Sequence, residues 1–128
     1  MSKDYLSTNI QAVINKVDDL KPNSYSDEQK TEWISKVEGI IKAELFEVPE
    51  EGLEPLDYEL DKDKPLRALH PYKDVYEYYV MAMIDFHNND IEAYTNSMEM
   101  FNATYEEYAK YARRQMASKK INYMKNIW

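Results

Sequence analysis

This sequence of 128 residues contains no cysteine and only two glycines, Gly39 and Gly52. Without cysteine, the chain can form neither disulfides nor zinc–thiolate sites, and thiol catalysis is excluded. The scarcity of glycine argues against a β-sandwich or β-barrel, which needs many tight turns. No stretch approaches the roughly 20 apolar residues of a membrane span, and the N-terminus lacks the apolar core of a signal peptide. Length and these absences predict one soluble domain made in the cytoplasm.

Charge is unevenly distributed along the chain. The net charge of −8 argues against tight nucleic-acid binding, which needs a basic surface. Residues 47–63 carry eight acids and one lysine, whereas residues 110–128 carry six bases and no acid. Such runs are typical of two solvated surfaces. The alternative interpretation is charge complementarity between neighbouring copies of the chain.

Apolar periodicity predicts two helices in the first third of the chain. The first extends from about Ser7 to Leu20, with Thr8 and Gln11 at capping-box spacing. The second begins near Ser26 and buries a stripe that includes Trp33. Gly39 lies inside this helix, where it costs about 1 kcal/mol relative to alanine. It is either a tolerated defect or a position where another helix approaches closely.

The second half of the sequence predicts a helical hairpin. A third helix spans residues 72–87, and the polar turn 88–90 leads into a fourth. Asp90 is the expected N-cap of that helix. A seven-residue apolar repeat then persists for more than three heptads and loses its phase near residue 118. Its positions are Ile91, Tyr94, Met98, Phe101, Tyr105, Tyr108, Ala112 and Gln115.

A long acidic loop separates the two helical halves. Residues 47–71 show no helical period and contain four prolines together with Gly52. A loop of this length in a compact domain is usually functional or mobile. The predicted fold is therefore all-α: a four-helix domain over residues 1–118, with the acidic loop at 47–71 between helices two and three. A basic and apolar C-terminal arm follows at 119–128.

Residues with catalytic or metal-binding potential do not form a recognisable motif. His70 and His87 lie 17 residues apart and neither has a partner at ligand spacing. Asp57, Glu59 and Asp61 alternate as in a calcium loop, but Lys62 occupies the position of the glycine that such a loop requires. We therefore expect no catalytic residue, no metal and no cofactor. A small helical enzyme with an active site assembled from distant residues is the weaker alternative.

Several short patterns of aromatic, asparagine and glycine positions stand out within residues 10–114. In the first half they are the opening helix with Lys21-Pro22-Asn23, then Glu28-Gln29-Lys30, Trp33-Ile34 and Val37-Glu38-Gly39. In the second half they are Pro71-Tyr72, Tyr76, Tyr79, Ile84-Asp85, Asn88, Tyr94-Thr95-Asn96-Ser97-Met98, Phe101-Asn102 and Tyr105. Together these patterns resemble the head–tail connector (adaptor) proteins of tailed bacteriophages of Gram-positive hosts. The helical hairpin around Asn88 carries the resemblance most strongly.

The resemblance implies a structural, non-enzymatic role in the virion. Proteins of this family assemble into a ring below the portal, extend the channel through which DNA leaves the capsid, and dock the next tail component. The implied partners are copies of the same chain, the portal protein, and a tail or stopper protein. DNA would pass through without specific binding. We expect synthesis in the bacterial cytoplasm and final location at the head–tail interface.

Candidate interface or channel residues follow from the charge pattern and this implied role. The acidic set is Glu50, Glu51, Glu54, Asp57, Glu59, Asp61 and Asp63, and the C-terminal set is Arg113, Arg114, Lys119, Lys120, Tyr123 and Trp128. The acidic set is expected either to meet the basic set of a neighbouring copy or to face the DNA channel. The alternative function is a cytoplasmic helical adaptor or regulator that binds a protein through its tyrosine-rich hairpin.

Overall fold

A computed structural model describes residues 6–127 of the chain, and the side chains of residues 6–121. This part of the protein is helical and contains no strand, which confirms the all-α prediction. The described helices are α1 (Ile10–Leu20), α2 (Asp27–Leu45), α3 (Tyr58–Asp61), α4 (Val75–His87) and α5 (Ile91–Ile127), with a 3₁₀ turn at Glu50–Gly52. The prediction of four helices thus missed α3, which interrupts the acidic loop with one helical turn.

Helix α1 begins one residue later than its capping-box pattern indicated. Asn9 is the N-cap, and its side-chain oxygen accepts a hydrogen bond from the Ala12 N–H at 2.8 Å. Thr8 is buried, and its carbonyl instead accepts a hydrogen bond from the Leu66 N–H at 2.9 Å. The predicted cap at Thr8 is therefore wrong, because pairing with a distant segment holds that residue outside the helix. Four apolar residues of α1 are buried: Ile10, Val13, Ile14 and Val17.

Helix α2 follows its sequence pattern closely. Ser26 caps it by accepting a hydrogen bond from the Gln29 N–H at 3.0 Å, as predicted. Its buried stripe includes Trp33, Ile34, Val37, Ile41 and Leu45. A Cβ added at Gly39 would meet nothing within 4 Å. The interpretation of Gly39 as a close approach of another helix is therefore wrong, and the glycine is a tolerated defect.

Helices α4 and α5 form the predicted antiparallel hairpin. Asn89 adopts a positive φ of 62° in the turn, a conformation that asparagine tolerates better than most residues. Asp90 begins α5 by accepting a hydrogen bond from the Ala93 N–H at 3.2 Å. Helix α4 starts at Val75, three residues after the predicted start, because residues 71–74 form a turn. Together with α1 and α2, the hairpin encloses the hydrophobic core.

Helix α5 extends well past this core. Its 37 residues correspond to about 55 Å of helix. The middle of the heptad seam is buried at Phe101, Tyr108 and Ala112, whereas Ile91 and Gln115 at its ends are exposed. After Ala112, every described side chain is exposed except the half-buried Met116. The backbone of residues 119–127 continues the same helix without a break. Within residues 6–127, no helix combines the length and apolarity that a transmembrane span requires.

Candidate functional site

The acidic segment, residues 47–63, is attached to the helical body at a few points and is otherwise exposed. The Leu56 N–H donates to Ser35 Oγ on α2 at 2.9 Å, and the Tyr58 hydroxyl donates to Gln11 on α1. The Lys62 carbonyl accepts a hydrogen bond from the Gln11 N–H at 3.2 Å. These bonds give the segment a defined path across α1 and α2, so it is an ordered surface feature rather than a featureless loop.

The seven candidate acids divide into two groups in the structure. Asp57 caps α3 by accepting a hydrogen bond from the Leu60 N–H at 3.0 Å. Asp61 accepts one from the Asp57 N–H at 2.8 Å and pairs with Lys64 at 2.8 Å, and these contacts lower the pKa of the Asp61 carboxyl. Both acids therefore stabilise the local turn. The remaining candidates are exposed: Glu50, Glu51, Glu54, Glu59 and Asp63.

The basic candidates lie on the projecting half of α5. Arg113, Arg114, Lys119 and Lys120 are all exposed. The Tyr123 side chain and the whole of Trp128 lie outside the described residues. No ion pair joins a base of this helix to an acid of residues 47–63 within the described part of the chain. Within residues 6–121, the two oppositely charged surfaces are thus not paired with each other.

An open groove of about 400 Å³ lies beside the C-terminal half of α5. Tyrosine and other aromatic rings form much of its wall: Tyr72 lies 5.3 Å from Tyr108 and 5.2 Å from Tyr111, centroid to centroid. The Arg67 guanidinium lies 4.9 Å from the centroid of the Phe46 ring. We call this the aromatic groove; its lining is Leu6, Phe46, Arg67, Leu69, His70, Tyr72, Tyr108, Tyr111, Ala112, Gln115 and Lys119.

The aromatic groove is electrostatically one-sided. Three of its lining residues, Arg67, His70 and Lys119, are basic residue types, and none is acidic. Burial raises the pKa of the Tyr108 hydroxyl to about 12, so this phenol stays neutral. The groove therefore suits a partner that presents an apolar group flanked by acids. Sequence reasoning identified Lys119 but missed the groove, because its residues come from four separate stretches of the chain.

Residues 66–70, which build one wall of the aromatic groove, are tied to the core by a buried carboxylate. Glu38 on α2 accepts a hydrogen bond from the Arg67 N–H at 3.0 Å and another from the Tyr76 hydroxyl at 2.7 Å. The Ala68 N–H donates to the same Tyr76 oxygen at 3.0 Å. Burial raises the pKa values of both Glu38 and Tyr76. The polar groups of this cluster are thus mutually satisfied and fix the backbone of the wall.

A second surface groove of about 390 Å³ lies near the tip of the hairpin. Its lining is Lys36, Tyr79, Met83, Phe86, His87, Tyr94 and Met98. The rings of Trp33 and His87 stack beside it, with their centroids 5.6 Å apart and an interplanar angle of 14°. Phe86 is 48% exposed, so the groove presents apolar surface to solvent. We call this the hairpin-tip groove.

The described residues contain no group of three or more histidines or acids that could hold a metal ion. The two histidines of the chain, His70 and His87, line different grooves. The described surface also carries the two grooves and the two charged surfaces given above. Comparison with protein-family models, with curated proteins and with solved structures finds no match to this chain.

Proposed function

We propose that this chain is a structural subunit of a bacteriophage head–tail connector ring. In this role, copies of the chain join the portal to the tail and extend the DNA channel. The proposal begins from the resemblance carried by residues 10–114. It requires no catalysis, and its partners are the neighbouring copies, the portal protein, and a tail or stopper protein. The assembled protein would lie at the head–tail interface of the virion.

One observation carries the proposal: the chain bears two exposed surfaces of opposite charge, and their described side chains form no ion pair with each other. A ring needs a head-to-tail interface in which each subunit presents two different surfaces. Complementary charge on those surfaces favours the correct partner and speeds association. Because each surface is left without its counterpart inside one subunit, a neighbouring copy is the natural source of it.

The projecting part of α5 supports a second contact, with the portal. From Ala112 to the end of the helix at Ile127 the rise is about 22 Å. Arg113, Arg114 and Lys120 are exposed along this stretch. A rigid basic helix of this length can reach a neighbouring component without rearrangement of the core. The exposed acids Glu50 and Glu51 are available to face the channel, where like charge keeps DNA from adhering to the wall.

The direct test is negative-stain electron microscopy of the purified protein, alone and with the portal protein of the same phage. We expect annular particles or portal-bound copies. Raising the salt concentration from about 0.1 M to about 1 M should weaken assembly, because it shortens the Debye length from about 10 Å to about 3 Å. A protein that stays monomeric and does not bind the portal would contradict the proposal.

A charge reversal sharpens this test. Arg113→Glu combined with Arg114→Glu changes two exposed side chains, so the fold should be retained while ring or portal binding is lost. Lys36→Glu is the matched control, since Lys36 is exposed on α2 and lines the hairpin-tip groove. If the arginine variant has normal circular dichroism and still assembles, the positive charge of Arg113 and Arg114 does not contribute to ring or portal binding.

The second candidate function is an adaptor or regulator that binds a protein through the tyrosine-rich hairpin. The hairpin-tip groove favours it, because exposed apolar surface of this kind marks interaction sites. The two functions predict opposite results with the same variants. An adaptor would lose its partner when Lys36→Glu or Phe86→Asp alters the hairpin tip, and it would tolerate reversal of Arg113 and Arg114.

A further inference from the structure

Among the described residues, Leu60 is the most exposed large hydrophobic residue. It is 77% exposed, whereas Leu20, the next leucine by exposure, is 59% exposed. Such an exposed apolar side chain contributes little to the stability of the fold, because most of its surface stays in contact with water. It lies on α3; Glu59 precedes it on the same helix, Asp63 follows just after the helix ends, and both acids are exposed. Leu60 and these acids form what we call the acidic knob.

Hydrogen bonds within the single chain stabilise the conformation of the acidic knob. Asp57 accepts a hydrogen bond from the Leu60 N–H at 3.0 Å, and Asp61 accepts one from the Asp57 N–H at 2.8 Å. The ring of Tyr58, whose hydroxyl bonds to α1, lies 5.3 Å from the Lys62 ammonium. A rigid surface feature loses little conformational entropy on binding, which favours its use as a docking element.

The aromatic groove is the chemical counterpart of this knob. The knob presents one apolar side chain flanked by acids, and the groove presents an aromatic wall flanked by bases. Leu69 and Tyr111 are 43% and 39% exposed, so apolar surface is open to a partner. The volume of about 400 Å³ exceeds that of one leucine side chain.

The knob and the groove of one chain belong to separate parts of its surface. No residue of 47–63 lines the groove, and the knob is fastened to α1 and α2 through Gln11 and Ser35. The counterpart of each must therefore come from another molecule. A second copy of the chain supplies both at once, in a head-to-tail contact that leaves one knob and one groove available for further copies.

We propose that the acidic knob of one copy docks into the aromatic groove of the next, with Leu60 packed against the tyrosine rings. Glu59 and Asp63 then face the bases Arg67 and Lys119 of the neighbour. This contact rests on the proposed ring assembly, for which it supplies the interface between subunits. It assigns a role to a solvent-exposed leucine and to a groove that the single chain leaves open.

Photo-crosslinking tests this contact directly on the full-length protein. Leu60 is replaced by p-benzoylphenylalanine, the purified protein is irradiated, and the crosslinked peptides are mapped by mass spectrometry. We expect crosslinked dimers in which position 60 is joined to residues 67–72 or 108–119 of the other copy. The same replacement at Leu20 is the matched control and should give no crosslink to the groove. Crosslinks from position 60 to any other surface, or none between chains, would overturn the inference.

A substitution pair measures the energetics of the same contact. Leu60→Asp should weaken self-association by about tenfold or more, because an apolar anchor is replaced by a charge. Leu20→Asp, at a similarly exposed leucine, should leave it unchanged. Lys119→Glu should weaken association as well, and Glu59→Lys in the same chain should restore part of the loss. Association measured by sedimentation velocity that is indifferent to Leu60→Asp would refute the contact.

These outcomes separate the contact from the proposed function. Rings that form with crosslinks elsewhere would refute the knob-in-groove contact and leave the connector role standing. Crosslinks between knob and groove in a protein that forms only open chains, and that does not bind a portal, would support the contact and remove the connector role.

Discussion

Glu77 on α4 makes the stability of this protein depend on pH in a direction unusual for an acid. The residue is 5% exposed, and its Oε2 atom has no hydrogen-bond partner among the described residues. Burial raises the pKa of the Glu77 carboxyl from 4.5 to about 7, because the charged form loses its hydration. The unfolded chain ionises this group near its ordinary value, so the folded protein holds one more proton between the two values.

The sign and size of the effect follow from this difference. Stability contributed by neutral Glu77 is complete below about pH 4.5, falls as the pH rises, and is lost above about pH 7. At about 1.4 kcal/mol per pKa unit, the interval from 4.5 to about 7 corresponds to about 3 kcal/mol. Glu77→Gln removes the titrating group and keeps the shape of the side chain. Its stability advantage over the natural chain should therefore grow to about 3 kcal/mol at about pH 8.

Urea unfolding followed by circular dichroism at about pH 5 and about pH 8 measures this advantage. At the lower pH the variant and the natural chain should differ by less than about 1 kcal/mol. Glu106→Gln, which neutralises an exposed acid on α5, is the control and should show no comparable change with pH. An equal difference between Glu77→Gln and the natural chain at both pH values would refute the reasoning.

Two further substitutions test the interior of the fold. Tyr76→Phe should lower the free energy of unfolding by about 1–3 kcal/mol, because it leaves the buried Ala68 N–H without an acceptor and removes a hydrogen bond to Glu38. Gly39→Ala should raise the free energy of unfolding by about 1 kcal/mol, because Gly39 lies inside α2 and a Cβ there meets nothing within 4 Å. Urea unfolding at one pH measures both.

Matched substitutions control these two predictions. Tyr78→Phe removes a hydroxyl from a half-buried tyrosine on the same helix and should cost less than Tyr76→Phe. Gly52→Ala should destabilise rather than stabilise, because its Cβ would lie 2.6 Å from Cγ1 of Val48. If both tyrosine variants lower the free energy of unfolding equally, the hydrogen bonds of the Tyr76 hydroxyl are not the cause of the loss. If Gly39→Ala lowers the free energy of unfolding instead, position 39 does not have the open space for a Cβ that this prediction assumes.

Features determined by neighbouring residues were predictable from the sequence. Ser26 and Asp90 cap their helices as expected, since a capping side chain bonds to an N–H two or three residues away. The middle of the heptad seam is buried at Phe101 and Tyr108, because a repeat of that period keeps one face of a helix towards its partner. In each case the signal and the structure it specifies lie within a few turns of one another.

Three other features were missed from the sequence, each for a different physical reason. Thr8 has the better capping-box spacing, yet its carbonyl is paired with the N–H of Leu66, and α1 starts after Asn9 instead. Helix α3 is a single turn, too short to show a period. The seam loses its apolar phase near residue 118, but α5 continues. Alanine, lysine and methionine in that stretch are strong helix formers whether or not they are buried.

One buried acid fixes the backbone at the edge of the aromatic groove, and no pattern in the sequence indicates this. Glu38 has its carboxylate in the core, where it binds the Arg67 N–H, and Tyr108 donates to the Arg67 carbonyl at 3.5 Å. With its backbone fixed on both sides, Arg67 lays its guanidinium on the Phe46 ring at the edge of the groove. The proposed docking of a neighbour's acids at this arginine therefore depends on a carboxylate that the neighbour never touches. Sequence reasoning identified Lys119 of this surface but not Arg67, whose position follows from a hydrogen bond to a residue 29 positions away.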